Sequence, residues 1–167
     1  AQWTPELHSI TYAAGGGTGT PPTQADVATS GTFSVAANSL TREGYTFAGW
    51  NDGLNTYQPS DTYTLGTADV TLTAQWTAVD YTVAYDGDGH DGGTLPTDSN
   101  AYNIGNSVTV LFSPLPTKTG YAFDGWNDGS TTYTSSGTFN MGSADVTLTA
   151  QWTPELHSIT YAAGGGT

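Results

Sequence analysis

The sequence contains no cysteine and almost no basic residues. Of its 167 residues, 15 are Asp or Glu and only 2 are Lys or Arg, which gives a formal net charge of −13 at pH 7. The absence of cysteine excludes disulfide bonds, thiolate metal sites and cysteine nucleophiles. Nucleic acids and anionic membrane surfaces are bound through clusters of basic residues. The charge balance therefore argues against both as partners.

Long apolar runs and helical periodicity are also absent. No segment approaches the roughly 18 consecutive apolar residues of a membrane-spanning helix. The chain is instead rich in Thr (31), Ser (13) and Gly (22), a composition that favours strands and turns. Its 5 Trp, 10 Tyr and 5 Phe residues supply the large apolar side chains from which a core can be built.

The sequence repeats itself. Residues 1–18 and 150–167 are identical (AQWTPELHSITYAAGGGT) and lie 149 residues apart. An identity of this length does not arise by chance, so the chain has the periodicity of a longer array.

A looser repeat lies inside this period. The segment GYTFAGWNDG at 44–53 returns as GYAFDGWNDG at 120–129, and TADVTLTAQWT at 67–77 returns as SADVTLTAQWT at 143–153. We therefore predict two related modules flanked by parts of their neighbours: 1–6 ends a preceding repeat, 7–79 and 80–155 are two complete repeats, and 156–167 starts the next one.

Local patterns predict strands and turns. In residues 70–76 apolar and polar side chains alternate, as in a strand with one buried face. Trp50 has the opposite parity to Tyr45 and Phe47, and Gly49 between them predicts a β-bulge that restores the register. Gly125 has the same role before Trp126. One short helix is allowed near residues 23–28 or just before the GY motif.

The order of these motifs resembles the Listeria–Bacteroides repeat family, which includes the internalin B-repeat. Two groups of equivalent residues carry the resemblance: Arg42, Gly44, Tyr45, Phe47, Gly49, Trp50, Asp69, Val70, Leu72, Ala74 and Trp76, and then Lys118, Gly120, Tyr121, Phe123, Gly125, Trp126, Asp145, Val146, Leu148, Ala150 and Trp152. The resemblance implies a mainly β, small α+β, β-grasp-like fold with little or no helix, found in tandem on bacterial surface and secreted proteins.

The aromatic residues are predicted to form the core rather than a sugar-binding platform. They occupy the inward parity of alternating strands, and a module without disulfides needs such side chains. The predicted core residues are Tyr45, Phe47, Trp50, Trp76, Tyr121, Phe123, Trp126 and Trp152.

One acidic loop is a weak candidate for a metal site. Asp86, Asp88 and Asp91 lie in a Gly-rich segment whose oxygen atoms suit a hard cation such as Ca²⁺. The equivalent loop of the first module, residues 13–17, has no acidic residue. A plain acidic turn is therefore the favoured interpretation, and no metal or other cofactor is predicted.

No arrangement of residues indicates catalysis. His8 and His157 are the same repeat position seen twice, and His90 lies in a loop, so no Ser–His–acid combination is indicated. We predict that the chain is not an enzyme.

Several threonines point away from the predicted core. Thr71, Thr73, Thr147 and Thr149 are candidates for O-linked glycans, which would solubilise a chain so poor in charge. The alternative is that they are ordinary strand-favouring residues.

Together with what the resemblance implies, these patterns predict a structural segment of an extracellular fibre or adhesin stalk at the bacterial cell surface. Its partners would be neighbouring repeats, joined head to tail with strand donation as one option, together with O-linked glycans. The alternative is a surface module that binds a host protein or polysaccharide. Exposed Trp50 and Trp126 side chains would favour binding, and buried ones favour the stalk.

Overall fold

The computed structural model describes residues 2–135 and 137–161, and it divides the chain into two compact units, Ala1–Val79 and Asp80–Thr167. Ala1 and residues 162–167, which belong to the predicted flanking repeats, lie outside the described residues. The described residues form strands, turns and loops without a helix, and so without a helix able to cross a membrane. The predicted mainly β fold in two tandem modules is confirmed. The short helix allowed near residues 23–28 is wrong, because Val27–Ala28 form a strand.

The first unit is built around a four-stranded sheet. Its described strands are β1 (Leu7–His8), β2 (Ile10–Ala13), β3 (Val27–Ala28), β4 (Thr32–Ser34), β5 (Tyr45–Asn51), β6 (Thr56–Tyr57), β7 (Thr62–Thr64) and β8 (Val70–Ala78). The sheet has the order β2-β8-β5-β6, in which β2 runs parallel to β8 and the other pairs are antiparallel. Two short antiparallel pairs, β1–β3 and β4–β7, complete the unit.

The second unit repeats this arrangement. Its described strands are β9 (Val83–Asp86), β10 (Gly92–Gly93), β11 (Ser107–Thr109), β12 (Pro116–Thr117), β13 (Tyr121–Asn127), β14 (Thr132–Tyr133), β15 (Thr138–Asn140) and β16 (Val146–Pro154). The main sheet has the order β9-β16-β13-β14, with β9 parallel to β16. The β11–β15 pair corresponds to β4–β7, whereas β10–β12 replaces an isolated bridge between Thr18 and Thr41 in the first unit.

The predicted bulges are confirmed in both units. The pairing of β5 with β8 shifts register between Phe47 and Gly49, and that of β13 with β16 shifts between Phe123 and Gly125. The two glycines have φ angles of 136° and 146°, which side-chain-bearing residues rarely adopt. The extra residue turns the following tryptophan to the inner face of the sheet.

Each unit has a hydrophobic core of its own. In the first, the fully buried side chains include Trp50, Leu65 and Leu72; in the second they include Trp126 and Leu148. Strand alternation explains this, because Leu72 and Ala74 of β8 are buried whereas Thr71 and Gln75 are exposed.

Candidate functional site

A chain of four aromatic rings, here named the aromatic ladder, runs through each unit. In the first unit it consists of Trp76, Phe47, Trp50 and Tyr12, whose successive ring centroids are 5.7, 5.2 and 4.7 Å apart. All three contacts are edge-to-face, the arrangement that aromatic quadrupoles favour. The second unit has Trp152, Phe123, Trp126 and Tyr85, at 5.5, 5.1 and 4.8 Å.

The ladder is an element of the core rather than a ligand platform. Trp50 and Trp126 are 0% exposed, and the outer members Phe47, Trp76, Phe123 and Trp152 are half-buried. No pocket that could admit a small ligand is present in the part of the chain that the structure describes. The rings therefore join β5 to β8 and β2 in the first unit, and β13 to β16 and β9 in the second.

The polar atoms of the ladder connect the strands to the loops. The indole Nε1 of Trp76 donates to the carbonyl oxygen of Ala14 (3.1 Å), and that of Trp152 donates to the carbonyl oxygen of Gly87 (3.1 Å). The hydroxyl of Tyr12 accepts a hydrogen bond from the backbone amide of Ala36 (2.9 Å). The hydroxyl of Tyr85 likewise accepts a hydrogen bond from the backbone amide of Leu111 (2.7 Å). Burial raises the pKa of Tyr85.

The two units differ at the central indole. Trp50 Nε1 donates to the carbonyl oxygen of Ala36 at 3.0 Å, whereas Trp126 Nε1 is buried with no hydrogen-bond partner. A buried donor without an acceptor destabilises a fold, typically by about 1–3 kcal/mol. The second unit thus carries a cost that the first avoids.

This difference predicts unequal effects of Trp-to-Phe substitutions. Trp50→Phe removes a satisfied hydrogen bond, whereas Trp126→Phe removes an unpaired donor. Each substitution changes the free energy of unfolding of the unit that contains it. We expect the loss caused by Trp50→Phe in the first unit to exceed the loss caused by Trp126→Phe in the second by about 1–3 kcal/mol. Hydrogen exchange at the amides of Leu72 and Leu148, one in each core, measures both losses. Equal losses would contradict the assignment of the unpaired indole.

The tyrosines at the start of the bulged strands are less buried than predicted. Tyr45 is half-buried, with the Arg42 guanidinium 3.9 Å from its ring centroid. Tyr121 is 39% exposed, so its predicted core position is wrong. The planar guanidinium covers the ring of Tyr45, whereas the compact ammonium of Lys118 stays 5.0 Å from the Tyr121 centroid and donates to the carbonyl oxygen of Asp88.

The Asn-Asp-Gly turn after each bulged strand is held by its aspartate. In the second unit the Asp128 carboxylate accepts hydrogen bonds from the amides of Ser130 and Thr131 and from the hydroxyl of Tyr133. Burial alone would raise the pKa of Asp128, but these hydrogen bonds outweigh it and lower the pKa to about 2.

The first unit uses the same device with two tyrosines. Asp52 accepts from the amides of Leu54 and Asn55 and from the hydroxyls of Tyr57 and Tyr63. Burial and then the charge of Asp52 raise the pKa of Tyr63 to about 12. Taken by itself, the Asn-Asp-Gly sequence indicates only a turn. The retention of Asn-Asp-Gly and of a tyrosine five residues after the aspartate in both repeats was the signal that could have revealed the network.

The low pKa of Asp128 predicts an acid-sensitive contribution to stability. Because the folded-state pKa lies below the ordinary value of 3.8, the contribution is complete above about pH 4 and is lost as the pH falls towards 2. We expect Asp128→Asn to destabilise the second unit at pH 6 and to flatten its stability between pH 4 and 2. Amide exchange or NMR peak intensities of this unit measure the effect.

A matched control for this prediction is Asp88→Asn, which removes a charge from an exposed loop of the same unit. This variant retains the Asp128 turn, so it should keep the fall in stability below pH 4. If Asp128→Asn leaves that fall unchanged, the turn aspartate is not its source.

Two carboxylates of the acidic loop accept hydrogen bonds from backbone amides. Asp86 accepts a hydrogen bond from the amide of Asp88, and both oxygens of Asp91 accept from the amide of Thr119 at 3.0 Å. The hydrogen bonds from Thr119 lower the pKa of Asp91. Across residues 2–135 and 137–161, no three His, Asp or Glu side chains come together as metal ligands. The structure therefore does not unite the three candidate aspartates.

The candidate threonines occupy two environments. Thr71 and Thr147 are exposed, whereas Thr73 and Thr149 are half-buried on the same strands. In the parallel pairing, Thr71 lies opposite Thr11 and Thr73 opposite Ala13. Thr71 and Thr147 are therefore more accessible to a modifying enzyme than Thr73 and Thr149.

Comparison with known proteins assigns both units to the same kind of domain. The profile of the Listeria-Bacteroides repeat domain matches residues 8–75 and 81–151. Among solved structures, domains 3–4 of the Streptococcal High Identity Repeats in Tandem, from a cell surface protein, align with 89% of this chain and 98% of their own at 18% identity and a TM-score of 0.30.

Longer proteins contain similar segments. A protein of Evansella cellulosilytica that carries the name Gly-rich membrane protein is 38% identical over 141 residues, which cover 77% of this chain and 16% of that protein. Internalin H of Listeria monocytogenes is 37% identical over 131 residues, 71% of this chain and 22% of its own length. The chain thus spans less than a quarter of either relative.

Proposed function

The chain belongs to the Listeria–Bacteroides repeat family, and from this premise we propose that it is a structural segment of an extracellular fibre or adhesin stalk at the bacterial cell surface. The observation that carries the proposal is the complete burial of Trp50 and Trp126. The aromatic residues that a carbohydrate-binding module would expose are used to build two cores. The proposal assigns no enzymatic activity to the segment.

The features that the two repeats share support a scaffold role. Both retain the aromatic ladder, the bulge and the aspartate-held turn. Both also retain an aspartate before the last strand: Asp69 accepts from the amide of Ser9, and Asp145 from the amide of Thr82, each at 2.7 Å. The loops that a specific ligand would contact differ, since residues 13–17 and 86–93 share little beyond glycine.

The short connection between the repeats also supports the proposal. The amide of Val79 still donates to Gly44 of the first unit, and the amide of Tyr81 already donates to Tyr102 of the second. Only Asp80 lies between Val79 and Tyr81, the two residues that donate these hydrogen bonds. A connection of this length is far shorter than the flexible linkers that join independently moving domains.

O-linked glycans on the exposed strand threonines form a separate part of the proposal. Thr71 and Thr147 are accessible and occur in both repeats, on a chain with few charged groups. Glycans there would increase solubility. Mass spectrometry of the protein isolated from its native source should show added hexose masses on peptides that contain these residues. A mass equal to that of the sequence would contradict this part alone.

A spacer-exchange experiment tests the stalk. Deleting whole 149-residue periods from the full-length protein should reduce the distance between the cell surface and an epitope at its outer end, and should weaken adhesion. Replacing the deleted periods by unrelated rigid domains of equal length should restore both. If the distance is restored and adhesion is not, the repeats themselves bind the host protein or polysaccharide and the stalk proposal fails.

A further inference from the structure

The chain contains six Asp-Gly dipeptides, a sequence that is prone to rearrange spontaneously through a cyclic imide. Their aspartates are Asp52, Asp86, Asp88, Asp91, Asp124 and Asp128. In this reaction the amide nitrogen of the glycine attacks the side-chain carboxyl carbon of the aspartate. Glycine favours the attack because it has no side chain to hinder the approach. The six dipeptides have the same composition, so their surroundings decide which of them reacts.

Hydrogen bonds hold five of the six carboxylates. The donors are two turn amides each for Asp52 and Asp128, the amide of Asp88 for Asp86, the amide of Thr119 for Asp91, and the hydroxyl of Thr153 for Asp124. Burial opposes these bonds at Asp52 and Asp128, yet the pKa of both carboxyls is lowered, as is the pKa of Asp91. A carboxyl group held as the anion reacts slowly, because imide formation requires it to lose an oxygen as water.

Asp88 is the exception among the six aspartates. Asp88 and Gly89 are both exposed, in the loop that follows β9. Among the residues that the structure describes, the carboxylate of Asp88 accepts no hydrogen bond and the amide of Gly89 donates none. Both groups that take part in imide formation are therefore unrestrained at this dipeptide and at no other carboxylate of the set.

The only lysine of the chain contacts the carbonyl group that determines the product. Lys118 Nζ donates to the backbone carbonyl oxygen of Asp88 at 2.9 Å. This carbonyl becomes one of the two carbonyls of the imide ring. An ammonium group at its oxygen stabilises the negative charge that develops when water attacks its carbon. The first unit lacks this arrangement, because Arg42 replaces Lys118 and residues 13–17 contain no aspartate.

We propose that Asp88-Gly89 is a site of spontaneous isomerisation to isoaspartate, and that Lys118 directs the reaction to this product. A bond forms between the Gly89 nitrogen and the side-chain carboxyl carbon of Asp88, while one carboxyl oxygen leaves as water with the carboxyl and amide protons. Water then adds its hydroxyl to the ring carbon whose oxygen Lys118 contacts, and its proton to the nitrogen as the bond between them breaks. The chain now continues through the side-chain carbon, and the former backbone carbonyl is a carboxylate. One water is lost and one is consumed, so the reaction needs no other reagent.

The product retains the contact with Lys118. The new carboxylate includes the oxygen that Lys118 already contacts, so a hydrogen bond to a neutral carbonyl becomes one between two charged groups, which is stronger. The net charge of the chain is unchanged, and the backbone of the loop gains one methylene group. The site occurs once in the 149-residue period. The modified fraction therefore increases with the age of a chain, whether or not the chain acts as a stalk.

Isotope uptake by the intact chain tests the site. The folded protein is incubated at neutral pH in water labelled with a heavy oxygen isotope, beside a sample in guanidinium chloride. Each passage through the imide introduces one labelled oxygen, which mass spectrometry with electron-transfer fragmentation locates. We expect labelling at Asp88 to be at least about tenfold faster than at Asp128, because lowering a pKa by one unit reduces the protonated fraction about tenfold. Guanidinium chloride should remove this difference. Equal labelling of Asp88 and Asp128 in the folded chain, or none at Asp88, would overturn the proposal.

A lysine variant tests the control of the product. Lys118→Met removes the ammonium group and should lower the isoaspartate share at position 88 to that of the denatured chain, while labelling there continues. Slow labelling of Asp128 in the same sample reports that the second unit remains folded. Arg42→Met is the matched control, since it removes the equivalent cation of the first unit and should leave the share unchanged. An unchanged isoaspartate share in Lys118→Met would overturn the directing role of Lys118.

Discussion

Trp50→Ala is expected to unfold the first unit and to leave the second one folded. Loss of a fully buried tryptophan typically costs about 3–5 kcal/mol. A single domain has roughly 5–15 kcal/mol of stability, and a unit of this size lies at the low end of that range. Trp50 contacts both Tyr12 and Phe47, so its removal also eliminates the ring contact between β5 and β2. Because the two cores are separate clusters, the loss should remain within one unit.

NMR spectra of the intact chain check this prediction. The amide signals of Leu72 and its neighbours in β8 should collapse to unfolded positions, whereas those of β16 should be unchanged. Trp3→Ala is the matched control, since Trp3 is 90% exposed and its removal should shift neither set. Native signals for β8 in the Trp50→Ala chain would contradict the role of the aromatic ladder as the core.

Gly125→Ala should destabilise the second unit strongly. Gly125 has a φ of 146°, and an added Cβ would collide with the carbonyl oxygen of Tyr133 on the neighbouring strand β14. Backbone strain of this kind costs roughly 1–3 kcal/mol, and overpacking adds roughly 1–3 kcal/mol. The bulge also positions Trp126, so the expected loss of about 2–6 kcal/mol affects the core directly.

Chemical denaturation followed by tryptophan fluorescence or hydrogen exchange measures the loss. Gly142→Ala provides the comparison within the same unit, because nothing lies within 4 Å of its added Cβ. We expect that control to change stability by less than about 0.5 kcal/mol, as an exposed substitution usually does. Similar, small losses in both variants would show that the bulge does not require glycine.

The sequence predicted those features that depend on periodicity. Alternation in residues 70–76 indicated which side chains of β8 point inward, and the change of parity between Phe47 and Trp50 indicated the bulge at Gly49. Such patterns follow from strand geometry alone and require no knowledge of distant contacts. They were sufficient to predict two mainly β repeats and the burial of Trp50 and Trp126.

Features that depend on contacts between distant segments were not predictable in this way. The hydroxyl of Tyr63 on β7 reaches Asp52, which lies 11 residues earlier in the chain, and the second repeat has Phe139 at the equivalent position, so no shared pattern indicates this contact. The exposure of Tyr121 depends on how its cationic neighbour is placed, since Arg42 covers Tyr45 and Lys118 instead reaches the carbonyl oxygen of Asp88. Two repeats with the same motif therefore differ at this position.

Small-angle X-ray scattering of recombinant arrays with two, four and six units tests the proposed stalk most directly. If each unit follows the last with little freedom, the maximum dimension should rise in proportion to the number of units. Growth close to the square root of that number, as for domains on flexible linkers, would contradict it.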